Sequence, residues 1–246
     1  MGSCKRKMEI LRSEQLDISR ISKTCKAYLF IIEIDNVSQN ASELINILND
    51  KTWLSKLDFL TRSDFEECAK TTIDEMLSIF SDTQTTNSIK KEFGEYMVSM
   101  NAQRTLKAKL NHKIITLSEI WGKKKSGNPG FDFHTFDEKN DLVTFGEAKY
   151  NSNKTAIKDA VDQINKFITE TPNKDKIDTR ELRLLGVPET ALCKIYKDRE
   201  RNLAAAFSIV EKVKEFNINF FLDQDYIKQL LCEKNEIYFI GVKVNE

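Results

Sequence analysis

The sequence predicts an α/β fold with a mixed central β-sheet flanked by helices. Three observations carry that reading. Short segments rich in β-formers alternate with apolar stripes of helical period. A hairpin signature in the middle of the chain is followed at once by an amphipathic helix. The 246 residues include only 8 Gly and 3 Pro, against average usage of about 7% and about 5%, which excludes collagen-like, low-complexity and linker-rich architectures. At about 150 residues per domain the length falls between one domain and two. A chain of this size buries roughly 70–75% of its unfolded surface and needs no disulfide or structural metal to fold.

Taken in order, Lys26 to Ile34 alternates through Tyr28, Phe30, Ile32 and Ile34 and reads as a strand. Leu44, Ile45 and Leu48 mark a short helix, and Phe65, Cys68, Ala69, Ile73, Met76, Leu77 and Phe80 a longer one. Asp82 to Ser88 reads as a loop. A further helix is expected over about 89–109, with Phe93, Met97 and Met100 on one face and Glu95 roughly at right angles to it. This organisation divides the chain into a small α/β N-terminal region, residues 1–85, suited to a partner or regulatory contact, and a larger domain, residues 86–246.

Gly122, Gly127, Pro129 and Gly130 punctuate the entry to the hairpin, whose arms are 131–136 and 142–150. Next, Ile157, Ala160, Val161, Ile164 and Ile168 form an apolar helical stripe. The last third reads as a long helix from about Asp198 to Phe216, apolar Ile218–Leu222, a helix from Asp225 to Cys232 and a final strand from Glu236 to Val244.

Charge and cysteine narrow the function classes. Lys+Arg and Asp+Glu both number 38, yet the charges are segregated: Arg104, Lys107, Lys109, Lys113, Lys123, Lys124 and Lys125 are opposed locally only by Glu119. Alone, such a run is usually a solvated face; beside a phosphodiester site it becomes a backbone clamp. The 5 cysteines are odd in number and include no C-x-x-C pair, the pattern of reduced thiols in a cytoplasmic protein. The apolar run Tyr28–Ile32 is far shorter than the ~20 residues that cross a bilayer.

The candidate chemistry lies in the hairpin. Glu147 and Lys149 are two apart on a strand and therefore share a face. Asp132, on the partner strand, joins them if Asp137 opposes Leu142, because that register sets Asp132 against Glu147; shifting it so that Phe136 opposes Leu142 sends Asp132 to the other face. Two carboxylates and the Ala148 carbonyl suit a hard divalent ion such as Mg²⁺. The Lys149 ammonium would hold a water or neutralise charge on a pentacovalent phosphate. The bland counterpart is a cross-strand ion pair worth ~0.2–1 kcal/mol. His134 lies on the Asp132 face as a substrate contact or, more simply, as a satisfied strand histidine.

Asn128-Pro-Gly-Phe-Asp-Phe133 followed by Phe145-Gly-Glu-Ala-Lys-Tyr150 resembles the core of the PD-(D/E)XK nucleases, the restriction-endonuclease-like fold. The resemblance covers about 89–169. It implies that Asp132, Glu147 and Lys149 are the motif residues of a Mg²⁺-dependent DNA nuclease that also accepts Mn²⁺, with Glu95 as the acid of the first core helix. Gln163, four residues before Phe167, is similar to a Gln-x-x-x-Tyr element that contacts nucleic acid in some families. Two departures stand: Pro129 is three residues from Asp132, and Phe replaces Tyr at 167. Within the superfamily, Gly130-Phe-Asp, Gly146-Glu-Ala-Lys-Tyr and Ala156-Ile-x-x-Ala160 look most like HamA, the nuclease-like subunit of the Hachiman anti-phage system, with restriction endonucleases close by. That likeness implies a DNA substrate and a helicase partner, and leaves open a homo-oligomer or a catalytically silent subunit that only binds DNA or docks a partner. Five of the eight glycines (Gly94, Gly122, Gly127, Gly130 and Gly146) adjoin or approach these acids, where missing side chains would admit a phosphate backbone.

Overall fold

Strands β1 (Glu9–Leu16) and β2 (Lys26–Ile34) form an antiparallel pair at one edge of the molecule. The computed structural model describes residues 8–35, 37–86, 91–118, 130–170, 174–210, 212, 214–231 and 236–244. After β2 come α1 (Val37–Asn49), a 3-10 turn (Thr52–Lys56), α2 (Phe59–Thr86) and α3 (Lys91–Leu110). The short β3 (Lys113–Ile114) precedes the hairpin β4 (Phe133–Asp137) and β5 (Leu142–Lys149). Three helices follow, α4 (Ile157–Thr169), α5 (Lys174–Leu184) and α6 (Glu189–Asp198). The described chain ends with β6 (Asn202–Ile209), α7 (Ile218–Leu222), α8 (Asp225–Leu230) and β7 (Glu236–Val244).

The seven strands make one mixed sheet in the order β1-β2-β7-β6-β5-β4-β3. Its centre, β2, β7, β6 and β5, is parallel; β1, β4 and β3 run antiparallel to their neighbours. The α/β class with helices on both faces is as expected. The sheet also runs across the boundary placed after residue 85, because β2 pairs with β7 along its whole length. On one face Leu203, Ala205 and Phe207 of β6 pack with Ile157, Val161 and Ile164 of α4. On the other, Ala204 and Ala206 pack with Met97 and Val98 of α3 and with Leu44 of α1.

The strand β1 and the helices α5 and α6 lie where the sequence reading places no element, and two readings are overturned. The helix expected from Asp198 to Phe216 contains β6, with all eight residues buried. Its Asn-Leu-Ala-Ala-Ala-Phe-Ser-Ile run has the composition of a helix. A parallel strand covered on both faces, however, shows a continuous apolar run without alternation, and the alanines let the helices of both layers approach closely. The loop expected over Asp82–Ser88 is helical as far as Thr86; the run holds no Gly or Pro, so nothing in it stops the helix.

Candidate active site

The hairpin has the register that the chemistry requires. Phe133 opposes Gly146 and Asp137 opposes Leu142, so Asp132, one residue before β4, comes level with Glu147. Both carboxylates approach one ammonium: Lys149 Nζ lies 2.5 Å from Glu147 Oε1 and 4.0 Å from Asp132 Oδ2. Asp132 is held by its own strand partner, since Ala148 donates its backbone N–H to Asp132 Oδ2 at 2.8 Å. The N–H and C=O of one strand residue point to the same neighbour, so the Ala148 carbonyl also faces the Asp132 side. Glu147 is 3% exposed, a burial that an ionised carboxylate tolerates only beside a partner such as this lysine.

The third acid arrives on α3. A Cβ on Gly94 would sit 2.1 Å from the Tyr150 ring and one on Gly146 2.2 Å from the Phe133 ring. These two glycines therefore admit protein aromatic rings rather than the phosphate backbone expected of them; the first seats α3 against the end of β5 and brings Glu95 to Lys149. Burial raises the Glu95 carboxyl pKa above its ordinary value, Lys149 pulls it back, Asp132 pushes it up further, and Lys91 and a hydrogen bond from the Tyr150 backbone lower it. Burial alone would lower the Lys149 pKa, but attraction to Glu147, Asp132 and Glu95 outweighs it and leaves the pKa above that of an ordinary lysine. Lys149 is thus an ammonium throughout the neutral range.

A shallow cavity of about 390 Å³ opens beside Lys149, lined also by Lys91, Tyr150, Asn151, Asp159, Asp162, Gln163 and Lys166. Gln163 therefore shares a surface with the hairpin lysine. The acids of this wall are engaged, Asp159 with Lys154 and Asp162 with Lys158. Sequence reasoning passed over Lys91 and Lys166, although they stand at helical spacing from Glu95 and Gln163 and so share their faces. Arg104 and Lys107 are not brought here. They lie nine and twelve residues beyond Glu95 along α3, roughly 14 and 18 Å at about 1.5 Å per residue, and Arg104 pairs with Glu43 of α1 at 2.7 Å. Lys123, Lys124 and Lys125 lie outside the described residues.

The donor set fits a hard divalent ion that keeps part of its water shell. Asp132, Glu147 and the Ala148 carbonyl offer oxygens, and Glu95 Oε1 is buried and accepts no hydrogen bond from the described residues. Among those residues no three His, Cys, Asp or Glu side chains form a ready-made cage, so water and substrate would complete the shell.

A larger cavity, about 1110 Å³, lies at the opposite end of the parallel strands, where Lys26 starts β2, Asn202 starts β6 and Glu236 starts β7. There His112 is 2% exposed, and its Nδ1 meets Thr135 Oγ1 at 3.0 Å. Tyr238 donates its hydroxyl to Glu236 Oε2 at 2.8 Å, and Asp137 accepts the N–H groups of Lys139 and Asn140 in the hairpin turn. Burial lowers the His112 pKa, against the pull of Asp137 and Glu236. Its position, a strand away from the acids, does not favour the phosphate contact that its lysine neighbours suggest.

No described helix is long and apolar enough to cross a membrane. A sequence model of the HamA family matches residues 9–244, nearly the whole chain. No curated protein matches the sequence.

Proposed function

The chain belongs to the HamA family, and from that premise we propose that it is a metal-dependent nuclease of the PD-(D/E)XK type, hydrolysing phosphodiester bonds of DNA. Family membership is consistent with an anti-phage role related to the Hachiman system. We extend the reading to a helicase partner, with self-association as the other arrangement to examine. The observation that carries the activity is the convergence of Asp132 and Glu147 on Lys149 at the end of β5.

In this reading Asp132, Glu147 and the Ala148 carbonyl hold Mg²⁺, or Mn²⁺ in its place, and Glu95 adds its buried oxygen. When bound, the ion supplies an activated water and neutralises charge on the scissile phosphate. Lys149 cannot act as a base, because its neighbours keep it protonated. It donates hydrogen bonds to the attacking water or to a phosphate oxygen as negative charge develops. Lys91, Gln163 and Lys166 line the route of the DNA backbone next to it, Arg104 and Lys107 supply more distant contacts, and Lys123, Lys124 and Lys125 keep the phosphate-contact role expected from the sequence. The site lies at the carboxyl end of β5, where open α/β sheets tend to place ligands.

A second reading has one observation in its favour: Lys149 already neutralises Glu147 at 2.5 Å, as in a purely structural ion pair. The chain would then be a silent nuclease-fold subunit that binds DNA or docks a partner. Plasmid and linear DNA incubated with Mg²⁺ or Mn²⁺, with and without copurifying proteins, separate the two. The nuclease reading expects cleavage that Glu147→Ala abolishes. Absence of cleavage under every metal and partner condition supports the silent subunit.

A further inference from the structure

A buried Ser-His-Asp chain adjoins Asp132 on the side away from Ala148. Ser118 Oγ lies 3.1 Å from His134 Nδ1, and His134 Nε2 lies 3.2 Å from Asp178 Oδ2 on α5. His134 thus turns Nδ1 to the Ser118 hydroxyl and Nε2 to the Asp178 carboxylate. These are the residue types of a hydrolase triad, but Ser118 is 5% exposed and none of the cavities described above reaches it. The histidine also presents its nitrogens in the order opposite to a nucleophile-activating triad.

What the chain touches is the backbone around Asp132. Asp178 Oδ2 also accepts the Phe131 N–H at 3.4 Å. The Ser118 N–H points to the Asp132 carbonyl at 3.4 Å, and the Asp132 N–H donates to Gly146 O at 2.9 Å. Gln103, from α3, holds the His134 carbonyl at 2.9 Å. Residues 131, 132 and 134 are thus each fixed from outside the hairpin ladder, which begins at Phe133.

We infer that Ser118, His134 and Asp178 are positioning residues that clamp the backbone of Asp132, so that its carboxylate is presented to Ala148, Lys149 and the metal. The consequence for metal binding rests on the nuclease reading; the clamp itself does not. Asp132 Oδ2 is the acceptor for the Ala148 N–H, so hydrogen exchange at that amide reports the placement of Asp132 without metal or substrate.

In Asp178→Ala the Ala148 amide is expected to exchange at least ~10-fold faster than in Leu182→Ala, which removes a fully buried side chain from the same helix and controls for loss of stability. Asp178→Asn keeps an acceptor oxygen and restores part of the protection. If Asp178→Ala does not fold, Asp178→Ser, which keeps a polar side chain but withdraws the carboxylate from the Phe131 N–H and His134, takes its place. Exchange at Ala148 no faster than in the Leu182→Ala control overturns the clamp. Half-saturating Mn²⁺, read from the melting temperature, is expected to rise about 10-fold in Asp178→Ala. A Mn²⁺ response unchanged by Asp132→Ala overturns the nuclease reading instead, and the exchange result still decides the clamp.

Discussion

The two ends of the parallel strands invite opposite uses of the same residue types. At the carboxyl end of β5 a half-buried lysine joins Glu147 and Asp132, with Glu95 close by, beside a cavity of about 390 Å³. At the amino ends of β2, β6 and β7 the cavity is nearly three times larger, about 1110 Å³, yet its His112, Glu236 and Asp137 are hydrogen-bonded to Thr135, to Tyr238 and Lys26, and to a hairpin turn. Cavity size alone points to the second end and charge convergence to the first. Like charges held together out of water are costly unless a ligand or counter-charge gains from them, whereas a hydrogen-bonded network accounts for itself.

The largest expected difference concerns lysine–carboxylate pairs at the two ends. Lys149→Met strands the buried Glu147 without its counter-charge and is expected to cost about 3–5 kcal/mol, seen as a large drop in melting temperature, together with a cleavage loss of about 100-fold or more. Converting Glu147 to Gln as well recovers much of the stability but none of the activity. Lys26→Met removes an exposed pair with Glu236 at 3.5 Å, worth under about 1 kcal/mol, and leaves cleavage unchanged.

Next come the glycines. Gly94→Ala and Gly146→Ala drive a Cβ into the Tyr150 and Phe133 rings and are expected to cost about 1–3 kcal/mol each. Gly94→Ala should also depress activity by displacing Glu95. At the far end, Tyr238→Phe loses the hydrogen bond to Glu236, a cost of about 1.5–3 kcal/mol for a charged acceptor, with the cleavage rate of the folded protein unaltered. Equal loss of activity from Tyr238→Phe and Gly94→Ala would erase the distinction between the ends.

The smallest effects have opposite signs in pH. The Glu95 carboxyl has a pKa above its ordinary value, so its stabilising contribution is full below that ordinary value and is lost as pH rises through the folded one; Glu95→Gln should raise the melting temperature at pH 7–8 and not near pH 4. The His112 pKa lies below its ordinary value, so its contribution is present above about 6.5 and is lost as pH falls through the folded value. His112→Gln should therefore gain on the wild type as pH is lowered. Each shift is on the order of a few °C, measured by melting curves across pH.

The hairpin was legible because strand alternation and a short polar turn admit few registers, and only one places Asp132 level with Glu147. The final strand was legible for a similar reason, its β-branched and aromatic run being bounded on both sides. The strand β6 was hidden because Ala204, Ala205 and Ala206 carry helix propensity, while the need for small residues comes from helices packing on both faces. Asp178 could not be singled out. It occupies the buried face of α5, where an apolar residue would mark the helix, and its partner His134 lies 44 positions away. Of the five glycines the sequence sets near the acids, Gly122 and Gly127 lie outside the described residues, and the rings of Tyr150 and Phe133 explain Gly94 and Gly146.

The most direct test of the active-site assignment is Mn²⁺-dependent cleavage of DNA by the wild type and by Asp132→Asn, assayed with any copurifying partner retained and with DNA binding measured in parallel. The assignment predicts that Asp132→Asn binds DNA like the wild type but cleaves it at least ~100-fold more slowly. Cleavage by Asp132→Asn at the wild-type rate would contradict it.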